Sequence, residues 1–374
     1  MKRLLYSGIL FVLLVATANA QFSVTVNSGY GSGRYKGSGR SIHIWAEASP
    51  ANMVFDRWIG DTQVLIDPTA WHTRLSPKLK NANLTATFKP APAWTPITNL
   101  VNGSEYRYYF PPNARGVVFR FHGTGGSGST FFNRVEDRIS ANNFVAAGFA
   151  VVALDSQNRI DKQWDNTNNP PNNVDINNVQ AIINFFIAQG LMTAATPVFS
   201  TGMSNGGAFS PRVAYALQFK AAAIYCVRGG TYINITNVPT IWNIAQNDSN
   251  ENVGPSGNAD SLTFFRILSA RGITAEHNTH IASPLYPQRF VRIAGLTPAD
   301  SQIIFDALKN NNYLDRENYL RQSPATSNWQ TVIPIVYTPF YNAIRSQLDV
   351  SWADHEYFAD NDGRTIAFFN AQTS

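Results

Sequence analysis

Residues 197–207 read PVFSTGMSNGG, and this stretch carries most of the evidence for the fold. It opens with a short apolar run of the length of a buried strand. The run leads into a Gly-x-Ser-x-Gly pattern centred on Ser204, followed by a helical pattern over residues 209–218. Glycines flank a serine at such a sharp strand-to-helix turn because neighbouring backbone comes too close for larger side chains. The stretch predicts an exposed nucleophilic serine above a parallel sheet; a Gly-Ser turn without chemistry is the alternative.

Apolar runs of similar length recur on both sides of this stretch. Continuous apolar runs bounded by glycines suit strands of a parallel sheet that is covered on both faces. The runs are residues 116–121, 149–154, 221–225 and 240–245, and a helical pattern covers residues 174–189. The alternation predicts a doubly wound α/β architecture. Residues 283–347 change to helical, proline-punctuated stretches, which we interpret as a helical insertion over one end of the sheet.

A serine nucleophile needs a base, and the chain has six histidines. His355 lies in a loop before the last helical pattern, where a triad histidine belongs if that helix packs on the sheet. His280, at the end of a possible strand, is the alternative base. The orienting acid should follow a strand between the serine and the histidine, which favours Asp248, with Glu251 behind it. The order Ser204, Asp248, His355 is the one found in α/β-hydrolases.

The tetrahedral intermediate also needs hydrogen-bond donors aimed at its oxyanion. Residues 122–128 read HGTGGSG and directly follow a predicted strand, in the position of the loop that donates one such N–H group. We expect the backbone of Thr124 to supply this donor and that of Asn205 to supply the second. A phosphate-binding glycine loop is the rival interpretation, but the stretch lacks the Gly-Lys-Ser/Thr ending of a P-loop.

With His-Gly-x-Gly-Gly, Gly-x-Ser-x-Gly-Gly and a late histidine in place, residues 95–374 resemble the α/β-hydrolases, in particular secreted esterases and polyester depolymerases. The resemblance implies hydrolysis of carboxylic esters through an acyl-enzyme, without a cofactor or a metal. The substrate could be a polymer-borne ester, either a polyester or an esterified polysaccharide. A lipase or amidase with the same triad, and a non-catalytic extracellular binding protein on a hydrolase scaffold, are the alternatives.

Residues 21–89 have a different texture, with short alternating runs of apolar and polar residues between Gly, Ser and Asn clusters. This alternation predicts a small antiparallel all-β domain. Residues 32–61, with their Gly-Ser turns and a Phe-x-x-Trp-x-Gly-Asp stretch, resemble the internalin-type B-repeat modules of bacterial extracellular proteins. The prolines of residues 90–94 predict a semi-rigid linker that ends the strand pattern and leaves the module separable from the catalytic domain.

Charge and composition argue against two further classes of protein. The 374 residues are 44% hydrophobic and 14% charged, which excludes general disorder, and the formal net charge of +5 does not favour a nucleic-acid binder. Residues 21–89 contain eight Lys or Arg against four Asp or Glu. A solvated face explains this surplus; attraction to an anionic surface is the alternative.

The first twenty residues begin with Lys2 and Arg3, continue with a short apolar stretch and end in Ala-Asn-Ala. This pattern predicts a secretory signal peptide that is cleaved after Ala20, and therefore an extracellular protein without stable membrane insertion. The single cysteine, Cys226, excludes an internal disulfide and is expected to be a buried structural thiol. We expect a monomer.

Two weaker sequence signals concern a possible substrate-binding platform and a possible calcium loop. Trp164, Trp352 and Tyr357 could form a stacking platform for a ring of the substrate, although core packing explains them as well. Asp360-x-Asp362-Gly resembles the start of a calcium loop but lacks the later Glu, so we expect a polar turn there and no metal.

Overall fold

The structure is a computed structural model that describes residues 21–36, 40–76, 80–250 and 253–373. The predicted signal peptide and Glu251 lie outside the described residues. The strands of the described residues are β1 (Gln21–Asn27), β2 (Gly29–Tyr30), β3 (Gly33–Lys36), β4 (His43–Ala46), β5 (Met53–Gly60), β6 (His72–Arg74), β7 (Ala82–Pro90), β8 (Ile97–Val101), β9 (Ser104–Tyr109), β10 (Val117–Phe121), β11 (Ala150–Leu154), β12 (Val198–Met203), β13 (Ala221–Tyr225), β14 (Thr240–Ala245) and β15 (Ala275–His280). The α-helices are α1 (Thr130–Asn133), α2 (Val135–Ala146), α3 (Val174–Ala188), α4 (Asn205–Leu217), α5 (Gly254–Ala270), α6 (Pro298–Asn310), α7 (Tyr341–Trp352) and α8 (Asp362–Asn370).

Strands β8 to β15 form one mixed eight-stranded sheet in the order β15-β14-β13-β12-β10-β11-β9-β8. Six of them run parallel, from β15 to β11, and the last two pair antiparallel at the opposite edge. In the register of the central strands, Phe119 of β10 lies between Val152 of β11 and Ser200 of β12. The carboxyl ends of β10, β12 and β14 therefore meet at one edge, where the predicted site residues follow these strands.

Both faces of this sheet are covered, which explains why its central parallel strands are mostly apolar. Each residue of β10, β11, β13 and β14 is buried. Helices α3 and α4 pack on one face through residues such as Val179 and Phe209, and α2 and α8 pack on the other through Phe144 and Phe369. A sheet covered on both faces needs no polar side in its strands. The described residues thus form a mixed α/β fold, as predicted, and it fits the expectation of an α/β-hydrolase.

The strands before residue 91 belong to two smaller sheets, one in the order β3-β1-β7-β5 and one in the order β2-β4-β6. Strand β1 alternates exposed and buried residues along its whole length, as expected for a sheet with one face on a core. The prediction that the linker starts at residue 90 needs a correction, because Pro90 pairs with Met53 as the last residue of β7. Proline is tolerated at a strand end, where its missing N–H costs no ladder hydrogen bond.

Residues between β15 and the last helices form a helical region with its own apolar cluster. It contains α6, α7 and short 3-10 turns at Arg289–Arg292, Trp329–Thr331 and Ile335–Phe340. Side chains such as Phe290 and Ile344 are fully buried in this cluster. The Thr297 hydroxyl and the Asp300 carboxylate form a capping box at the start of α6, which fixes where this helix begins.

The N-terminal sheets pack directly against the rest of the described chain, which contradicts the expectation of a separable module. His72 of β6 bonds through Nδ1 to Asp360 Oδ2 at 3.0 Å, with both side chains buried. The ring of Tyr30 stacks on Tyr286 with centroids 4.9 Å apart, and the ring of Trp45 contacts Tyr286 at a tilt with centroids 5.0 Å apart. Burial of polar and aromatic groups on both sides of the junction makes the module part of the folded unit; the linker pattern alone gave no sign of this.

The expected polar turn at Asp360 and Asp362 is likewise wrong, because both carboxylates are almost completely buried. Asp360 binds His72 across the junction. Asp362 accepts hydrogen bonds from Ser140 at 3.1 Å and Asn143 at 2.9 Å. Side-chain donors from distant parts of the chain satisfy these acids, so their local pattern did not indicate a buried position.

No helix within the described ranges is both long and apolar enough to cross a membrane.

Candidate active site

Ser204 occupies a strained turn between β12 and α4. Its backbone has φ 56° and ψ −121°, and its N–H donates to the carbonyl of Tyr225 at 2.9 Å. A Cβ atom on Gly202 would overlap the carbonyl of Gly206, and one on Gly206 would overlap the carbonyl of Phe121. The two glycines are therefore required by close backbone contact, and they leave Ser204 at the wall of a cavity.

His355 and Asp248 form a hydrogen-bonded pair at the carboxyl end of the sheet. Asp248 follows β14 and its side chain is fully buried, while His355 follows α7 and keeps 16% of its side chain exposed. His355 Nδ1 lies 2.8 Å from Asp248 Oδ2. The carboxylate therefore accepts the Nδ1 proton and leaves Nε2 free to take a proton. His355 and Ser204 line the same cavity, without a hydrogen bond between them.

Asp354 holds the two loops that carry this pair. Its Oδ1 atom accepts from the N–H of His355 at 2.8 Å, and from the N–H and hydroxyl of Ser249 at 2.8 and 2.7 Å. Asn247 adds a bond from its N–H to the carbonyl of Ala353 at 2.8 Å. Sequence reasoning missed Asp354, although its position directly before the candidate histidine was the available signal.

The loop after β10 is ordered by His122. Its Nδ1 donates to the carbonyl of Gly123 at 2.8 Å, and its Nε2 accepts from the N–H of Ser156 at 3.2 Å. Both bonds require the neutral ring, and burial lowers the pKa of His122 to about 4. Within the described residues, no group accepts from the backbone N–H of Thr124 or of Asn205, and both residues line the cavity. Two unpaired N–H groups are thus available next to Ser204.

The cavity around Ser204 has a volume of about 860 Å³ and contains the candidate residues, whereas a separate cavity of about 420 Å³ lies at the junction with the module. Its volume is in the range of small-molecule sites. One wall carries Arg134, whose NH2 group binds Glu356 Oε2 at 3.0 Å, and the buried Asp137. Nearby charge from Glu356 raises the pKa of Arg134.

The three aromatic residues predicted to stack on substrate lie elsewhere or are already engaged. Trp164 is buried, and its indole N–H donates to the carbonyl of His122 at 2.8 Å. Trp352 packs against the apolar cluster of the helical region, outside the cavity lining. Tyr357 borders the cavity, but its ring is buried and its hydroxyl lies 2.8 Å from Ser140 Oγ. The arrangement therefore does not provide a shared stacking platform.

Trp164 contributes to the site in another way. Its backbone N–H donates to Asn205 Oδ1 at 2.7 Å, and Asn166 Nδ2 donates to the carbonyl of Asn205 at 3.2 Å. These bonds orient the residue after Ser204, whose N–H is the second candidate oxyanion donor. The positioning role of these two residues had no sequence signal, because they lie in an asparagine-rich loop far from Ser204 in the chain.

His280, the alternative base, is buried outside this cavity. Its Nε2 lies 2.8 Å from the carbonyl of Val350 and its Nδ1 lies 4.0 Å from Asp360 Oδ2. Cys226 is buried as expected, and burial raises its pKa well above the usual value of a thiol. In the described part of the chain, no group of three or more His, Cys, Asp or Glu side chains is arranged to hold a metal ion.

Comparisons with known proteins give structural neighbours only. No protein-family model matches the chain, and no curated protein matches its sequence. An acetyl xylan esterase from Aspergillus awamori is 14% identical with a TM-score of 0.37, over 47% of this chain and 80% of that one. A ferulic acid esterase is 11% identical with a TM-score of 0.39, over 50% of this chain and 88% of that one. A carboxyl esterase from the fungus Tuber melanosporum is 15% identical with a TM-score of 0.37, over 50% and 75%.

Proposed function

We propose that this chain is a serine hydrolase that cleaves carboxylic esters through an acyl-enzyme. The observation that carries the proposal is the His355–Asp248 pair, at 2.8 Å, in the same cavity as the strained Ser204. A serine, a histidine with a free Nε2 and a buried carboxylate form the set that activates a hydroxyl nucleophile. Two backbone N–H groups without acceptors, from Thr124 and Asn205, complete the set.

In the proposed reaction, Ser204 Oγ attacks the ester carbonyl while its proton passes to His355 Nε2. Asp248 orients the imidazole and stabilises its protonated form, and the two N–H groups stabilise the oxyanion. His355 then gives the proton to the leaving alcohol, and the acyl group remains on Ser204. A water molecule, deprotonated by His355, hydrolyses the acyl-enzyme and restores the serine. The Ser204–His355 hydrogen bond forms when substrate is bound, as is common for catalytic hydrogen bonds that are open in free enzymes.

The test compares Ser204→Ala with Ser269→Ala, a matched change on the exposed surface of α5. We expect Ser204→Ala to remain folded and to hydrolyse p-nitrophenyl acetate at less than about a thousandth of the wild-type rate. Ser269→Ala should retain the wild-type rate. Wild-type protein without esterase activity, or Ser204→Ala with substantial activity, would refute the proposal. A matched anilide of the same acyl group separates an esterase from an amidase.

The organisation of the chain is part of the same proposal. We infer a signal peptide over residues 1–20, a β-module over 21–90, a short linker over 91–94 and a catalytic domain over 95–374 with a helical insertion at about 283–347. Export and cleavage after Ala20 predict a secreted protein whose N-terminal residue is Gln21. N-terminal sequencing of the protein recovered from culture medium tests this; retention of the full chain inside the cells would contradict it.

A further inference from the structure

The carboxyl group of Asp137 lies unpaired in the wall of the catalytic cavity. Asp137 belongs to the first turn of α2, is only 5% exposed and lines the cavity. No described residue donates a hydrogen bond to its carboxyl oxygens. The preceding Glu136 differs, because it accepts from Gln347 and from the N–H of Ala359, each at 2.9 Å. Glu136 therefore has a structural role, whereas the carboxyl group of Asp137 remains able to form a hydrogen bond with a group bound in the cavity.

An unsatisfied buried carboxyl group is costly, so its retention needs a physical reason. Arg120 lies behind Asp137, fully buried, and donates through NH1 to the Asp137 backbone carbonyl at 3.0 Å. Burial raises the pKa of Asp137 to about 7, although the charges of Arg120 and Arg134 partly offset this effect. Near neutral pH this group is available both as the acceptor and as the donor of a hydrogen bond. A hydroxyl group has the same dual character and is its natural partner.

The polar wall is connected to His355, the residue that protonates the leaving alcohol in the proposed reaction. His355 must hand its proton to that alcohol, so the alcohol part of the ester lies beside His355. Glu356 follows His355 directly in the chain and binds Arg134 at 3.0 Å. Asp137 lies three residues after Arg134, the residue that directly precedes α2, and both residues line the cavity. Hydroxyl groups of the alcohol part are therefore the substrate groups nearest to Asp137.

We propose that Asp137, with Arg134 and Glu356, forms a subsite for hydroxyl groups of the alcohol part, so that the substrate is an ester of a polyhydroxylated alcohol such as a sugar unit. The inference rests on the proposed esterase function and specifies its substrate class. A sugar hydroxyl replaces the water that solvates Asp137, whereas an aliphatic alcohol displaces this water and leaves the carboxyl unpaired. Sites built to hydrogen-bond a hydroxyl discriminate strongly against analogues that lack it.

The test compares two acetate esters, a monoacetylated methyl glycoside with free hydroxyls and cyclohexyl acetate. We expect wild-type kcat/KM to favour the glycoside by about 10- to 100-fold, the effect of one hydrogen bond to a charged group. Asp137→Leu should lose most of this preference, and Asp137→Asn should keep most of it because an amide both donates and accepts. Asp306→Leu, a change on α6 away from the cavity, is the matched control and should keep the full preference.

Hydrolysis of phenyl acetate distinguishes a failure of the proposed esterase function from a failure of the proposed subsite. This hydrolysis reports on the serine apparatus alone, so its absence in wild type would refute the esterase function itself. Normal phenyl acetate hydrolysis without a glycoside preference in wild type would overturn the subsite, even if Asp137→Leu fails to fold. Phenyl 3-hydroxybutyrate and phenyl butyrate differ by one hydroxyl group on the acyl part. If Asp137→Leu lowers kcat/KM only for phenyl 3-hydroxybutyrate, Asp137 contacts the acyl part of the substrate, and the proposed alcohol subsite is overturned.

Discussion

His72→Leu is expected to destabilise the whole chain, because His72 joins the β-module to the proposed catalytic domain through a buried hydrogen bond to Asp360. His72 Nδ1 donates to Asp360 Oδ2 at 3.0 Å, so its Nε2 must accept from His43 Nδ1 at 2.7 Å. The substitution removes this hydrogen bond from the buried Asp360 carboxylate, which keeps only longer contacts to Arg292 at 3.7 Å and His280 at 4.0 Å, and it leaves the buried His43 N–H without an acceptor. Leucine has nearly the same volume as histidine, so the cost arises from the lost polar partners more than from a cavity.

Each buried group that loses its hydrogen-bond partner costs about 1 to 3 kcal/mol, and more if it is charged, so the loss at Asp360 and at His43 together amounts to about 3 to 5 kcal/mol. An unfolding entropy of about 2.1 cal/mol/K per residue over the 374 residues amounts to about 0.8 kcal/mol/K. The expected decrease in Tm is therefore about 4 to 6 °C if the chain unfolds as one unit. Circular dichroism melts at pH 7, followed in parallel by tryptophan fluorescence, measure both the decrease and the single transition.

His277→Leu is the matched control, since His277 lies on the edge strand β15, half buried, and bonds to Ser261 on the neighbouring helix at 3.0 Å. We expect its Tm to fall by no more than about 1 °C. An equally small effect of His72→Leu would refute the reasoning, because the junction would then contribute nothing to stability. Two separate transitions in the wild type, one for the module, would refute it as well.

The other predictions concern the same junction and the triad. A protein that begins at Ala93 exposes the buried junction, so we expect poor solubility and little hydrolysis of p-nitrophenyl acetate; full activity would show that the module is dispensable. Gly363→Ala should lower Tm, although alanine normally favours a helix, because the new Cβ meets the module backbone; a raised Tm contradicts this contact. Burial lowers the pKa of His72 to about 4, so its stabilising effect is complete above about pH 6.5 and decreases towards pH 4. The difference in unfolding free energy between wild type and His72→Leu, measured by urea titrations, should therefore become smaller as the pH is lowered over that range. A difference that does not change with pH would count against a neutral His72 ring. His355→Ala should abolish esterase activity, whereas His280→Ala should retain it per folded molecule; the reverse result would move the base to His280.

The serine turn and the strands around it could be predicted because the relevant signals are local. Buried parallel strands are continuously apolar, and close backbone contact at the turn forces glycine on both sides of Ser204. The candidate acid and base were found from chain order, since each follows a strand or helix that ends at the same edge of the sheet. Their 2.8 Å contact joins residues 107 positions apart, and only the folded structure provides that distance.

The junction could not be predicted, because its partners have no pattern that relates them. His72 and Asp360 are 288 residues apart, and each has an ordinary local interpretation, as a strand residue and as part of a polar turn. The linker prolines suggested independence, but a linker composition describes only the connection and not the surfaces on either side. Asp354 was missed although it directly precedes His355, because its hydrogen bond to Ser249 joins residues that are 105 positions apart.

The most direct test of the account is covalent labelling with a fluorophosphonate, followed by mass spectrometry of the digested protein. This reagent reacts with serines that are activated by a neighbouring base, and the account predicts one adduct per chain, on Ser204. The adduct should be absent in Ser204→Ala and form much more slowly in His355→Ala and Asp248→Ala, with all three variants folded. A wild-type protein that stays unlabelled, or carries the label on another residue, would contradict the assignment of Ser204 as the nucleophile.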